Sequence, residues 1–420
     1  MKSCHYIFVS CLLLIGCSVA SPPDDEKIIG MLIDQEFERV YNDIVASELK
    51  NSMTVNEFIE KWEENAHGEF ENTHSLKSSK RGDAYRVIEA EIEYSDSAFQ
   101  LRLTLNQENK IVGFATSELA LLPNSIIEKD VTVGEGTDYE LDGTLTLPKN
   151  QQKNLPAVVL VHGSGPSDRN EAVYQYEPFR DIAWGLGEKG IAVLRYDKRT
   201  FSYQLSNDLT VQEETIEDAI RAGELLKKNS RIDSDQVYLL GHSLGGMLAP
   251  RIDLDGDFAG LIILAGSPRP LWEIIYDQNM EMNLNEDEQQ QIEQEYEKAQ
   301  QISNMTIDEA KEETVFGLPA YYFKEMNNYD AGRLAQESTK PMLFLQGEDD
   351  FQVYPDIDFS MWKELLQRND NATFISYPGL NHFFIDYDGP GAGTVAEYAQ
   401  PGKVDVIVIN DIADWISDQN

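Results

Sequence analysis

Cysteine is nearly absent. The chain of 420 residues holds three, Cys4, Cys11 and Cys17, all within its first 17 positions. The rest is free of structural disulfides, so its core must be held by apolar burial. Basic residues are also scarce: 34 Lys and Arg stand against 74 Asp and Glu, a formal net charge of −40 at pH 7. A field of that sign repels nucleic acid and other polyanions, which argues against anionic polymers as substrates. Its ordinary consequence is a strongly hydrated, soluble surface. The apolar run from Ile7 to Ile15 is too short to span a bilayer as a stable helix. Histidine is sparse too, with six in the chain, so any chemistry that needs a neutral-range base has few candidates.

Residues 1–20 read as an export leader, with Lys2 as its charged start and residues 7–15 as its apolar centre. Leu14-Ile15-Gly16-Cys17 resembles a bacterial lipobox. That resemblance implies cleavage after the small Gly16 and lipidation of Cys17. Ser18-Val19-Ala20 has small residues at the spacing of an ordinary signal cleavage and is the alternative. Either way the protein is expected outside the cytoplasm, lipid-anchored to the cell membrane or else secreted. Residues 21–26 form a short polar tether.

The length predicts two domains. Residues 22–125 are expected to form a small α+β module. A helix is predicted over Lys27–Leu49 from the apolar stripe of Ile28, Met31, Leu32, Phe37, Val40, Tyr41 and Ile44. A second helix through Phe58, Ile59 and Trp62 is predicted to start at Thr54, with Glu57 completing a capping box. Alternating runs at 85–94, 99–105 and 111–116 predict a meander, with Asn106–Asn109 as a hairpin turn. The order resembles the NTF2-like or cystatin-like domains that precede some secreted bacterial hydrolases. His67 and His74 lack metal-spaced partners and read as structural.

From residue 127 to 420 the pattern changes to α/β. Two leading strands are predicted at 131–133 and 139–147, with Asp142-Gly143 as a hairpin turn. Buried strand runs recur at 156–162, 191–196, 237–241, 259–265, 341–346 and 372–377, with helices predicted at 213–228, 355–368 and 403–416. That alternation predicts a mostly parallel sheet covered by helices on both faces. Residues 269–336 interrupt it with a long, polar, glutamate-rich helical segment, expected as a cap. Trp272, Tyr276, Met280, Met282, Phe316, Tyr321, Tyr322 and Phe323 are candidates for lining a pocket under it, and also for plain cap-to-core packing. The Gly- and Tyr-rich stretch 386–400 is expected to flank the mouth.

The chemistry concentrates at strand ends. Gly241-His242-Ser243-Leu244-Gly245 follows an apolar strand and precedes a helix-compatible run, the setting of a nucleophile elbow. The glycines let strand and helix approach closely, and Ser243 is left at a helix N-terminus that favours negative charge. His382 is the sole histidine C-terminal to Ser243 and follows the strand-and-turn pattern 373–381. Gly347-Glu348-Asp349-Asp350 ends another strand; Asp350 is the expected acid, with Asp349 the competitor. His162-Gly163-Ser164-Gly165-Pro166 ends an earlier strand and can supply a backbone N–H to an oxyanion. Ser164 is the expected donor beside Leu244, with Gly165 second, and His162 reads as structural.

These motifs, with Arg195-Tyr196-Asp197-Lys198-Arg199, resemble the α/β-hydrolase superfamily, and within it bacterial extracytoplasmic serine esterases. The resemblance implies an α/β-hydrolase fold, a Ser243–His382–Asp350 triad in the family's chain order, an oxyanion hole from Leu244 and Ser164, and hydrolysis of small-molecule carboxylic esters without metal or cofactor. A serine aminopeptidase or other peptidase and a thioesterase are alternatives on the same fold, which hosts many reactions. A surface-tethered binding protein that has kept the scaffold is the alternative of a different class. No propeller-like repeat points to an oligopeptidase.

Overall fold

The computed structural model describes residues 25–419 apart from 82–83, 152, 205–207 and 283. The leader, including the candidate lipidation site Cys17, lies outside the described residues. The chain divides into two compact units, 1–121 and 122–420.

The first unit opens with four short helices: α1 (Asp25–Ile33), α2 (Phe37–Asp43), α3 (Ser47–Lys50) and α4 (Val55–Glu63). An antiparallel sheet follows, built in sequential order from β1 (Phe70–Arg81), β2 (Tyr85–Tyr94), β3 (Ser97–Leu105) and β4 (Ile111–Glu118). Thr54 caps α4 as expected: the Glu57 N–H donates to its hydroxyl, and Glu57 accepts from the Thr54 N–H at 2.6 Å. The helix packs Trp62 and Phe58 onto Phe99 and Phe114 of the sheet, with ring centroids 5.1 and 4.4 Å apart. Two expectations need correction. The single helix over 27–49 is three pieces, α1 to α3, and the first break lies at Gln35, which takes a left-handed conformation (φ 59°). β1 was not foreseen: Phe-Glu-Asn-Thr-His-Ser-Leu-Lys-Ser-Ser-Lys-Arg has no apolar alternation, because the strand lies at the sheet edge and is largely exposed.

The second unit is an eight-stranded sheet within a longer series: β5 (Ile126–Val133), β6 (Leu141–Pro148), β7 (Leu155–Val161), β8 (Ala192–Tyr196), β9 (Ile232–His242), β10 (Leu261–Leu264), a small hairpin β11 (Thr314–Val315) and β12 (Leu318–Pro319), then β13 (Met342–Gly347) and β14 (Ala372–Tyr377). The large sheet runs β14-β13-β10-β9-β7-β8-β6-β5. It is parallel from β14 through β8 and antiparallel over β8-β6-β5. Asp142 and Gly143 are not a turn but lie inside β6. The β5–β6 turn falls at 134–140 instead, where Gly134 and Gly136 supply φ of 75° and 80°.

Helices cover both faces. They are α5 (Pro178–Glu188), α6 (Arg199–Ser202), α7 (Glu217–Lys227) and α8 (Leu244–Gly256), then α9 (Leu271–Met280), α10 (Glu286–Gln301), α11 (Ile307–Glu312), α12 (Ala320–Met326) and α13 (Ala331–Glu337) of the insertion. α14 (Ser360–Leu365) and α15 (Val406–Asp418) complete the set. The predicted helices at 213–228 and 355–368 are present, each beginning with a π turn. β7 shows why the sheet is buried on both sides. Ala157, Val159 and Val161 join the core with α7 and α8, while Val158 and Leu160 join the core with α5 and α15. This is the α/β-hydrolase fold, and its parallel strands carry their C-terminal ends to one edge.

Candidate active site

Ser243 sits between β9 and α8 with φ 51° and ψ −114°, a conformation costly for any residue with a Cβ. The turn is held by the Ser243 N–H on the Leu264 carbonyl at 2.8 Å and by the Met247 N–H on the Ser243 carbonyl at 3.0 Å. Its neighbours must be glycine. A Cβ on Gly241 would lie 2.2 Å from the Gly245 carbonyl oxygen, and one on Gly245 would lie 2.3 Å from that of Val161. Leu244 is the first residue of α8, where a backbone N–H has no intrahelical acceptor.

Two loops at the ends of β13 and β14 are laced together. The Glu348 N–H donates to the Tyr377 carbonyl at 2.9 Å and the Asp349 N–H to that of Leu380 at 3.0 Å. Asp350 is buried, while Asp349 is exposed. The Asp350 Oδ2 is 2.8 Å from His382 Nδ1 and accepts from Gln346 Nε2 at 2.9 Å. Its Oδ1 accepts the N–H groups of Gln352 and Val353 at 2.8 and 3.0 Å. Geometry therefore chooses Asp350 over Asp349 as the partner of His382. The His382 loop is shaped by Asn381, whose Oδ1 accepts from the N–H groups of Phe383 and Ile385 and whose amide donates to Glu397 at 2.8 Å. The 386–400 stretch serves this loop: Tyr398 packs on Phe383 and accepts from Gln352 Nε2.

His242, just before the candidate nucleophile, packs its ring at a tilt against that of His382 (centroids 4.7 Å) and donates from Nε2 to the His382 carbonyl at 3.0 Å. Its Nδ1 lies 2.9 Å from Glu171 Oε2, and Glu171 Oε1 accepts the Gly163 N–H at 2.7 Å. Glu171 thus ties the Gly163 loop to the elbow. Burial pushes the Glu171 carboxyl up, but the His242 charge beside it brings it net below its usual value of 4.5. Burial pushes His242 down, and Glu171 outweighs that, raising it above 6.5. Glu171 was legible only as one polar residue of a loop. His162 matches its structural reading: Nε2 is 2.9 Å from the Asp168 carbonyl, and burial lowers its pKa to about 4.

The Glu171–His242 pair makes stability pH-dependent in a stated direction. The lowered Glu171 contributes above about pH 4.5 and loses its contribution as pH falls through its folded value. The raised His242 contributes below about pH 6.5 and loses its contribution as pH rises through its folded value. Breaking such a buried pair costs about 3 kcal/mol. Urea titrations should therefore show Glu171→Gln destabilised most near pH 5.5, with the deficit shrinking toward about pH 9. An equal deficit at both would mean that the pair is not ionised.

A cavity of about 400 Å³ opens on Ser243, Leu244, Ser164 and Gly165. The candidate nucleophile and both candidate oxyanion donors therefore line one space. Gly163 makes that approach possible, since a Cβ on it would lie 3.2 Å from the Ser243 Cβ. The insertion forms one wall with Leu271, Ile274, Ile275 and Gln278, the i, i+3, i+4, i+7 face of α9. Of the aromatic and Met side chains expected as lining, Tyr322 alone lines this cavity. Trp272 and Tyr276 lie on the other face of α9 and pack on Tyr296 of α10, and Phe323 joins the core. The missing signal was helix face, which composition does not carry. A buried polar group also went unforeseen. Glu214 reaches the cavity, accepts from the Tyr322 hydroxyl at 2.5 Å and lies 2.6 Å from Lys198 Nζ. Among the described residues no cluster suited to a metal ion occurs.

Residues 158–397 match the family described as "Alpha/beta hydrolase family". Residues 26–114 match one described as "Protein of unknown function (DUF3887)". The chain is 33% identical over 439 aligned positions to Esterase EstD of Thermotoga maritima, covering 98% of each. Solved structures similar to it include Est1E from Butyrivibrio proteoclasticus (17% identity, TM-score 0.45, 69% of this chain and 98% of that one). Another is a puromycin-hydrolyzing peptidase of Mycobacterium tuberculosis (16% identity, TM-score 0.48, 83% and 48%). By the family match across its second unit and the full-length relative, the chain belongs to the α/β-hydrolase family.

Proposed function

We propose that the protein is a serine hydrolase of carboxylic esters, with Ser243 as nucleophile, His382 as base and Asp350 as the group that orients it. One observation carries the reading. The buried Asp350–His382 pair, at 2.8 Å, is bound through His242 to the strained turn that presents Ser243 to an apolar cavity. His382 takes the Ser243 proton as Oγ attacks the ester carbonyl. The oxyanion is held by the N–H groups of Leu244 and Ser164, and His382 then protonates the leaving alcohol. The same base activates water to release the acid from the acyl-enzyme. The likeness to Esterase EstD supports an ester over an amide.

The cavity of about 400 Å³ is at the small end of ligand sites, so short acyl groups are favoured. In a series of p-nitrophenyl acetate, butyrate, octanoate and palmitate, kcat/KM is expected to be highest for the first two and to fall steeply for the last. Faster turnover of aminoacyl or prolyl p-nitroanilides than of any ester would make the protein a peptidase. No turnover and no labelling of Ser243 by a fluorophosphonate would make it a binding protein.

A further inference from the structure

Lys198 follows β8 by two residues and is 2% exposed. A buried ammonium costs several kcal/mol unless it is paired and hydrogen-bonded, and an aliphatic side chain would fill the space without that cost. Its contacts show what the charge is used on. Nζ donates to the Gly163 carbonyl at 2.8 Å, and Glu214 Oε1 lies 2.6 Å away as its counter-charge. The Gly163 carbonyl and the Ser164 N–H belong to one peptide unit. In a trans peptide these two groups point in opposite directions, so a cation fixed on the oxygen directs the N–H away from Lys198. The same contact draws electrons toward oxygen and strengthens the N–H as a donor. Gly163 is held on its other side as well, through its own N–H on Glu171. Both peptide planes that meet at Gly163 are thereby anchored by buried charged groups, and the next residue, Ser164, lines the cavity beside Ser243.

We propose that Lys198 is the positioning residue of the oxyanion hole: its ammonium, neutralised by Glu214, fixes and polarises the Gly163–Ser164 peptide so that the Ser164 N–H meets the developing oxyanion. This rests on the reading of Ser243 as nucleophile and Ser164 as donor. Lys198 touches no reacting atom, so its loss acts on the transition state through the peptide.

The test compares the wild type with Lys198→Met and with the double variant Lys198→Met/Glu214→Gln, which removes both charges and leaves no buried carboxylate unpaired. Active sites are counted by exhaustive fluorophosphonate labelling, so that unfolded molecules drop out of the rate. Removing one oxyanion donor outright lowers kcat by about 10²–10³-fold. A donor that is present but misdirected should lower it by about 30-fold in the double variant, with KM within about threefold. The inhibition constant of a phenylboronic acid, which mimics the tetrahedral species, should rise by the same factor as kcat falls. A double variant with wild-type kcat per labelled site and unchanged boronate affinity would overturn the proposal and reduce Lys198 to packing. Should the wild type turn over no ester, the function reading fails separately. The rate of fluorophosphonate labelling, which also places a phosphoryl oxygen in the hole, still reports whether Lys198→Met/Glu214→Gln slows Ser243.

Discussion

Replacing Ser243 with alanine is expected to lower kcat for p-nitrophenyl acetate by a factor of about 10⁵ or more. The size follows from the proposed mechanism: without Oγ no acyl-enzyme would form, and only the proposed oxyanion donors and the bound geometry would remain to assist water. The fold should not respond. The bonds that hold the elbow, from the Ser243 N–H to Leu264 and from the Met247 N–H to Ser243, are backbone to backbone and survive the change. Thermal unfolding of Ser243→Ala should therefore match the wild type within a few degrees while activity disappears. Retained activity in this variant would place the nucleophile elsewhere and overturn the site assignment.

The second large effect is expected at Asp350, where Asp350→Asn lowers kcat by about 10³–10⁴-fold while Asp349→Asn changes it less than about twofold. The hydrogen bonds give the reason. Oδ1 of Asp350 accepts two backbone N–H groups, from Gln352 and Val353, so an asparagine must keep its carbonyl oxygen there. Its NH₂ is then left facing His382 Nδ1 and the Gln346 amide, where Oδ2 had been the acceptor. A donor at that place forces Nδ1 to accept, which moves the ring proton to Nε2. On the proposed mechanism His382 could then no longer take a proton from Ser243. Asp349 is exposed and makes its contact to the His382 loop through its backbone N–H, so its side chain should be dispensable. Equal losses at the two positions, measured as kcat per labelled site, would show that the acid had been misassigned.

What was legible in the sequence is what is local. The elbow announces itself within five residues because Gly241 and Gly245 are each forced by a backbone atom within 2.3 Å of where a Cβ would be. The parallel strands announce themselves because both faces are buried, which leaves runs such as Val158-Val159-Leu160-Val161 with no polar interruption. Failures occurred where the deciding partner is distant in the chain. The polar strand Phe70–Arg81 exists because β2 is there to pair with it. Lys198, Glu214 and Tyr322 come from three separate elements, and nothing near any of them signals the other two. The Asp142-Gly143 pair carries a turn signature that its pairing with β5 and β8 overrides. Trp272 and Tyr276 have the composition of a binding wall but lie on the wrong side of α9, where Tyr296 covers them.

The sheet order also sets when the protein can begin to act. Ser243 follows β9, while Asp350 and His382 follow β13 and β14, with β10 lying between β9 and β13. The contact from His242 to His382 closes a loop of 140 positions. A chain emerging from the ribosome therefore carries Ser243 long before it carries Asp350 and His382. Loops of that span close late in folding. The recovery of hydrolysis after dilution from denaturant should lag behind the recovery of helix content. Chains cut short of β14 should be inert, whatever structure they hold.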